Sequence, residues 1–269
     1  MIGLPKSVGT IGAGNMAEAI LRGLLRAGLS ADQLSASDVS AERRRLLREE
    51  LGIHTSESNA EVAQRSEVVV LAVKPQQLEA ACHSLPHDGG PLYLSIVAGA
   101  TSAGLRRLLG AGARIVRTMP NTPALVGAGV TAVASDGGAE PADVERASAI
   151  LRAVGSVVQV PESALDAVTG LSGSGPAYVF LVIEALTEAG VREGLTSETA
   201  RALALETVYG AARLARETGE HPAILRERVT SPGGTTSAGL AALEAGGFRA
   251  TLQAAVRAAT QRSKELGKT

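Results

Sequence analysis

Residues 7–17, SVGTIGAGNMA, set a short β-rich run directly against G-x-G-x-x-A and the start of a helical pattern, and few architectures accommodate that junction. Gly12 permits a tight turn, Gly14 lets the backbone approach an anion, and Ala17 keeps the helix close to the strand. The unpaired N–H groups of the helix's first turn then face a phosphate or pyrophosphate. A glycine turn chosen for packing alone would use the same residue types, so the context decides. LSASD (34–38), EVVVLAV (67–73), PLYLSIVAG (91–99), ARIVRTM (113–119) and GVTAVAS (129–135) are further β-rich runs. Helical patterns at 15–28, 41–52 and 75–85, and again after the 91–99 and 129–135 runs, separate them. Strands alternating with helices predict a doubly wound, mainly parallel sheet, with ligands bound past the carboxyl ends of its strands.

From Pro161 onward the periodicity is helical, as in ESALDAVTGL, GPAYVFLVIEALTEAG, SETARALALETVYGAARLARETG, HPAILRERV, TTSAGLAALEAGG and a last stretch from Phe248 to Gly267. The predicted fold is α/β: a Rossmann-type sheet domain over 1–160, then an all-α domain over 161–269. The helices between 175 and 217 are rich in Ala and Gly and apolar on much of their circumference, so they must bury one another or meet a second subunit. With 45% hydrophobic but only 2% aromatic residues and no Trp, the core is expected to consist of Ala, Leu, Val and Ile. A net charge of −1 gives no reason to expect nucleic acid, and Arg43–Arg45 reads as a solvated helix face. The lone cysteine, Cys82, excludes an internal disulfide and reads as a buried, inert thiol in a reducing compartment. No run of about 18 apolar residues and no signal-peptide pattern is present, so a cytoplasmic protein without a membrane span is expected. No metal is expected.

Asp38 closes the second β-rich run, 24 residues after Gly14. An acidic side chain there would take the ribose 2′-hydroxyl of NAD, whereas Ser40, Arg43 and Arg44 just behind it could hold a 2′-phosphate. A helix N-cap is the alternative reading of Asp38. AVKPQ (72–76) and VAGAT (97–101) follow two other strands, where small residues let a nicotinamide and its ribose lie against backbone. Lys74 could reach a ribose or phosphate, or be merely solvated.

The helical half is poor in acid–base groups. Its histidine is His221, its lysines are Lys264 and Lys268, and Tyr178 is followed four residues later by Val182 rather than Lys. That argues against an alcohol dehydrogenase. Hydride addition to C=N needs mainly positioning, because a protonated imine is already electrophilic. SPGGTT (231–236) suits it: the N–H groups of Gly233, Gly234 and Thr235 form a nest for a carboxylate, beside which the Thr236 hydroxyl meets an imine nitrogen. A glycine turn with a threonine N-cap is the alternative.

IGAGNMAEAI, LAVKPQ, RTMPNTPALVGAG, DAVTGLSGSGPAYVFLVIEAL, SPGGTTSAGL and LEAGGFRATLQAAV together resemble the pyrroline-5-carboxylate reductases from end to end. The resemblance implies reduction of Δ1-pyrroline-5-carboxylate to L-proline by NADPH or NADH, the last step of proline biosynthesis. It puts the pyrophosphate on Ile11, Gly12, Ala13, Gly14, Asn15 and Met16, with further cofactor contacts at Asn59, at Ala72, Val73, Lys74 and Pro75, and at Ile96, Val97 and Ala98. It makes Thr236 the hydrogen-bond or proton donor to the imine nitrogen, Glu162 and Thr235 substrate contacts, and Ser231 to Gly234 the carboxylate loop. MPNTPA (119–124) would line the nicotinamide side. One position departs from the pattern: Val39 stands where many members carry Arg or Ser for the 2′-phosphate. The resemblance also implies a homodimer through the helical domain, often five dimers in a decamer. A reductase of another cyclic imine, a β-hydroxyacid dehydrogenase and a non-catalytic cofactor-binding regulator are the competing readings. The second expects a lysine on the long helix after residue 175, where GPAYVFLVIEALTEAG has none.

Overall fold

The computed structural model describes residues 3–87, 90–134 and 139–267. Ser135, the expected end of a strand, and Lys268 lie outside them. The chain runs β1 (Val8–Ile11), α1 (Asn15–Arg26), β2 (Leu34–Ser37), α2 (Ala41–Leu51), β3 (His54–Ser56), α3 (Asn59–Gln64), β4 (Val68–Leu71) and α4 (Leu78–Cys82). It continues with β5 (Leu92–Ser95), α5 (Ser102–Leu109), β6 (Ile115–Met119), β7 (Gly129–Ala134), α6 (Pro141–Arg152), β8 (Gly155–Val160) and α7 (Leu165–Val168). Five helices follow: α8 (Gly175–Arg192), α9 (Ser197–Thr218), α10 (Pro222–Arg228), α11 (Thr235–Ala245) and α12 (Phe248–Leu266).

The eight strands lie in the order β3-β2-β1-β4-β5-β6-β7-β8, parallel throughout except for the antiparallel β6–β7 pair. The chain leaves β1 in one direction toward β2 and β3, then returns to β4 on its other side, so the strand order reverses between β1 and β4. That reversal is where ligands of doubly wound sheets bind.

The inner strands β1, β2, β4 and β5 are buried on both faces, and their side chains divide by the period of two. Val68 and Val70 of β4 join a core with Ile20, Leu21 and Leu24 of α1, Leu47 of α2 and Ile150 of α6. Val69 and Leu71 face the opposite core with Val62 of α3, Cys82 of α4 and Leu105 of α5. In α1, Ala17, Ile20, Leu21 and Leu24 are fully buried at helical spacing.

The sheet is wider than the sequence predicts. β3 is only HTS, too short and polar to read as a strand. β8 is an edge strand with no buried residue, its positions half-buried or exposed, so its sequence lacks the apolar run that marks the inner strands. The division into compact units also falls elsewhere than residue 160. The described residues up to Ser174 form one unit with those from Arg257 on, and Gly175–Val256 form the second. The reason is packing: Leu165 of α7 is buried with Ala132 and Ala134 of β7.

In the second unit, Gly190 lets α8 and α9 close up, since a Cβ there would stand 3.1 Å from that of Ala200. Ala200 and Ala204 are the only buried residues among Gly175–Val256. Phe180, Leu181, Leu203, Tyr209 and Val229 are each more than half exposed. Two buried alanines do not make a core, so these faces require a second surface.

Candidate functional site

At the β1–α1 junction Gly12 holds φ 94°, and a Cβ there would lie 2.7 Å from the Ala72 carbonyl oxygen, so no side chain fits. Gly14 is the N-cap of α1, without a side-chain cap, and a Cβ on it would meet nothing within 4 Å. This is a cradle of open space in front of an uncapped helix start, the shape a pyrophosphate requires. Asn15 is exposed beside it and Met16 half-buried. Ala17, in the third fingerprint place, is fully buried.

The end of β2 braces this loop. Asp38 accepts the Ala13 N–H at Oδ2 and the Ser40 N–H at Oδ1, both at 2.8 Å. Its carboxylate therefore fixes the glycine loop as well as its own turn, while Ser40 caps α2 by accepting the Arg43 N–H. The two arginines, indistinguishable in the sequence, separate here. Arg43 turns inward, donating to the Ala13 carbonyl at 2.8 Å and to Glu18 at 2.7 Å. Arg44 turns back onto the carbonyls of Asp38 and Val39, at 2.6 and 3.1 Å. Burial alone would raise the Glu18 carboxyl; hydrogen bonds from Arg43 and Arg22 outweigh it and hold the carboxyl below its ordinary value. Asn59 accepts from the Ser37 hydroxyl at 2.7 Å and donates to the Ala81 carbonyl at 3.1 Å.

The AVKPQ and VAGAT loops follow β4 and β5, next to β1 in the sheet. Ala72 N–H donates to the Ile11 carbonyl at 2.8 Å and Ile96 N–H to that of Leu71 at 3.2 Å, so the three loops share one edge. Lys74 and Pro75 are exposed, Val97 is buried, and Ala98 is half-buried. An open groove of about 530 Å³ runs along Pro75, Val97, Ala98, Gly99, Thr101 and Leu266. Glu162, expected as a substrate contact, accepts the Ser102 N–H and an Arg117 N–H, each at 2.8 Å. Burial would raise its carboxyl, but these donors lower it. Asn121 of MPNTPA accepts from Val130 N–H and donates to the Ser172 carbonyl. That carbonyl belongs to a π-helical turn over Thr169–Gly173, closed by Ser174 N–H on the Thr169 carbonyl at 2.9 Å. The TGLSGSG stretch held no signal for this turn beyond its glycines.

In the second unit, SPGG forms a turn in which Gly234 N–H donates to the Ser231 carbonyl at 3.0 Å, with Gly233 at φ 69°. Pro at the second place and a positive-φ glycine at the third are the pattern of a type II turn. The expected nest thus loses Gly234, whose N–H closes the turn. Gly234 is the N-cap of α11 and no side chain caps it, so neither threonine serves as the N-cap. Thr235 is exposed and Thr236 half-buried in the first turn.

Residues 162–266 match the family model described as pyrroline-5-carboxylate reductase dimerisation, and 7–99 that of NADP oxidoreductase, coenzyme F420-dependent. A pyrroline-5-carboxylate reductase of Synechocystis sp. is 49% identical, covering 97% of this chain and 98% of its own. The chain belongs to the pyrroline-5-carboxylate reductase family. The Arabidopsis thaliana pyrroline-5-carboxylate reductase is 44% identical over 96% of this chain and 95% of its own. A solved pyrroline-5-carboxylate reductase from Coxiella burnetii superposes with a TM-score of 0.92 at 41% identity, over 98% of this chain and all of that one. The Plasmodium falciparum structure with NADP bound gives 0.88 at 31%, with the same coverages. A prephenate dehydrogenase from A. aeolicus, 14% identical with a TM-score of 0.53 over 83% of this chain and 96% of that one, shares the fold. As a pyrroline-5-carboxylate reductase with a matched dimerisation domain the chain is oligomeric, which accounts for the uncovered faces of α8 and α9. Among the described residues no helix is long and apolar enough to cross a membrane.

Proposed function

We propose that the chain reduces 1-pyrroline-5-carboxylate to L-proline with NADPH or NADH, completing proline biosynthesis in the cytoplasm. The observation that carries this reading is the full-length kinship to pyrroline-5-carboxylate reductases together with two uncapped glycine helix starts, one for each ligand. The reduced nicotinamide supplies a hydride to the imine carbon. The chain's residues do the rest. The Gly12–Met16 loop, held by Asp38, receives the pyrophosphate on the first turn of α1. Ala72–Pro75 and Ile96–Ala98 offer small side chains and backbone to the nicotinamide end. The turn Ser231–Gly234 and the α11 N-terminus receive the substrate carboxylate, with Thr235 as a further contact. Thr236 directs its hydroxyl at the imine nitrogen, which gains a proton as the carbon gains the hydride. For the cofactor's 2′ position both arginines are already engaged, Arg43 with Ala13 and Glu18 and Arg44 with Asp38, Val39 and Glu57, so a 2′-phosphate would have to draw one of them from its partners. A homodimer through the helical domain, and five such dimers in a decamer, is the assembly we assign.

The test is the initial loss of nicotinamide absorbance with 1-pyrroline-5-carboxylate and each cofactor. Turnover with either supports the reaction, and the ratio of rates reports whether Val39 in the usual Arg or Ser position costs the 2′-phosphate. Cofactor binding without turnover of this or any related cyclic imine would favour the regulator reading.

A further inference from the structure

We propose that Glu162 and Asp166, one helical turn apart, act as positioning residues: a clamp that fixes the loop Ile96–Thr101 in the shape that receives the nicotinamide. The inference rests on the reading of that loop as the nicotinamide wall.

The loop is held at its start, its middle and its end. At the start, Thr118 donates its hydroxyl proton to the Ser95 carbonyl at 3.0 Å, and Val97 N–H donates to the Ser95 hydroxyl at 3.3 Å. At the end, Glu162 takes the N–H of Ser102, the first residue of α5, at 2.8 Å. Arg117 donates to the same carboxylate oxygen at 2.8 Å and is 9% exposed, so the carboxylate cannot swing away without stranding a buried cation.

The middle is held from the far end of the chain. Ser263 is buried, at 3% exposure, on an otherwise largely exposed stretch of α12, and its hydroxyl donates to Asp166 Oδ1 at 2.6 Å. One turn later Gly267 donates its N–H to the Ser263 carbonyl at 3.1 Å. There it meets Gly99. A Cβ on Gly267 would lie 2.8 Å from the Gly99 carbonyl oxygen, and one on Gly99 would lie 3.0 Å from the Gly267 nitrogen. The contact is backbone on backbone, with Gly99 at φ 77°, so neither side yields as a long side chain would. Residues 162–166 thus grip α5 with one carboxylate and the last turn of α12 with the other, and the loop runs between. A wall of small residues binds a planar ring well only if it is already in place, because ordering it on binding subtracts from affinity.

The test compares Ser263→Ala, Ser263→Thr and Gly267→Ala by fluorescence titration with NADPH and with NADH. Competition by the matching fragments without nicotinamide, 2′-phospho-ADP-ribose and ADP-ribose, reports the rest of the site. We expect Ser263→Ala and Gly267→Ala to raise the Kd of the full cofactors about threefold to tenfold, on the scale of one lost hydrogen bond. The fragments should bind unchanged, Ser263→Thr should restore affinity, and amide exchange over 96–101 should quicken in the two alanine variants. Unchanged cofactor affinity, or equal losses for cofactors and fragments, would overturn the clamp. Ala98→Leu separates this from the underlying reading. If it weakens the full cofactors while Ser263→Ala does not, the clamp alone fails; if it leaves them unaffected, the loop is no nicotinamide wall and both fail.

Discussion

Gly14 and Gly234 open two helices in nearly the same backbone conformation, φ −70°, ψ 178° and φ −80°, ψ 173°, and neither start carries a side-chain cap. Each is preceded by a glycine at positive φ, Gly12 at 94° and Gly233 at 69°. By contrast α2, α3, α5 and α9 are capped by Ser40, Ser58, Thr101 and Thr196. N–H groups left without a cap at an exposed helix start are taken by water or by an anion, and the helix dipole favours the anion. What differs is the support. The α1 start is braced by Asp38 and Arg43 and stands on a complete core. The α11 start belongs to a unit whose described residues include only two buried alanines. The same local chemistry is therefore self-sufficient in one place and dependent on assembly in the other.

The sharpest way to break the comparison is to fill the α1 cradle. Because a Cβ at Gly14 meets nothing within 4 Å and its backbone is extended, Gly14→Val is expected to keep the fold and to fill the space in front of the helix start. We expect the cofactor Kd to rise about 100-fold or more with the melting temperature unchanged. Fluorescence titration showing ordinary affinity would remove α1 from the binding site. At the other start, Thr236→Ala should lower kcat by about one to two orders of magnitude at constant cofactor Kd, with Thr236→Ser recovering most of it. An unaltered kcat would leave the α11 start as a carboxylate site alone.

The dependence on assembly is tested at Leu203, 55% exposed on α9. Leu203→Glu places a charge on a face that needs covering. We expect scattering to show a smaller particle and turnover to fall about tenfold, while cofactor affinity stays within about a factor of two, on the scale of burying one unpaired charge. Full activity in the smaller particle would mean that the α11 start organises itself, and the contrast with α1 would collapse.

How much of this was legible follows from which residues speak locally. The G-x-G-x-x-A junction, the β-branched run of β4 and the turn residues of SPGG act through their own backbone or side-chain preferences: the first two form the strand–helix turn and the strand they predict, and SPGG forms a turn at a helix start, though one that takes the Gly234 N–H from the nest. The HTS of β3 and the alternating edge strand β8 form because neighbours pair with them, which no short window records. Arg43 and Arg44 are the same residue type one position apart, and only the helix's 3.6 period, applied to a known start at Ser40, separates the one that reaches Ala13 and Glu18 from the one that turns back onto Asp38 and Val39. The roles of Glu162, Ser263 and Gly267 depend on partners that the fold brings close from far away in the sequence: Ser102 and Arg117, Asp166, and Gly99. Such residues carry no chemical signature: a serine in an Ala-rich helix and a glycine near its end look like filler.

The smallest expected effect concerns the brace under α1. Glu18 holds Arg43, which donates to the Ala13 carbonyl of the glycine loop, and Glu18 also pairs with Arg22. Its folded carboxyl lies below its ordinary value of 4.5, because those hydrogen bonds outweigh burial. A depressed folded pKa stabilises the native state fully above the unfolded value, and the contribution disappears as the pH falls through the lower folded value. Glu18→Gln should therefore melt earlier than the parent chain at pH 7, and the gap should close as the pH falls below about 4.5. The network is partly exposed, Arg43 by 28% and Arg22 by 35%, so solvent screening limits it to about 1 kcal/mol or less, or about 2 °C in a chain of this size. Melting curves of both proteins from pH 3 to 8 decide it. A gap that stays constant across that range would mean that the charge on Glu18 does not hold Arg43 to the loop, and that the core and Asp38 alone support the α1 start.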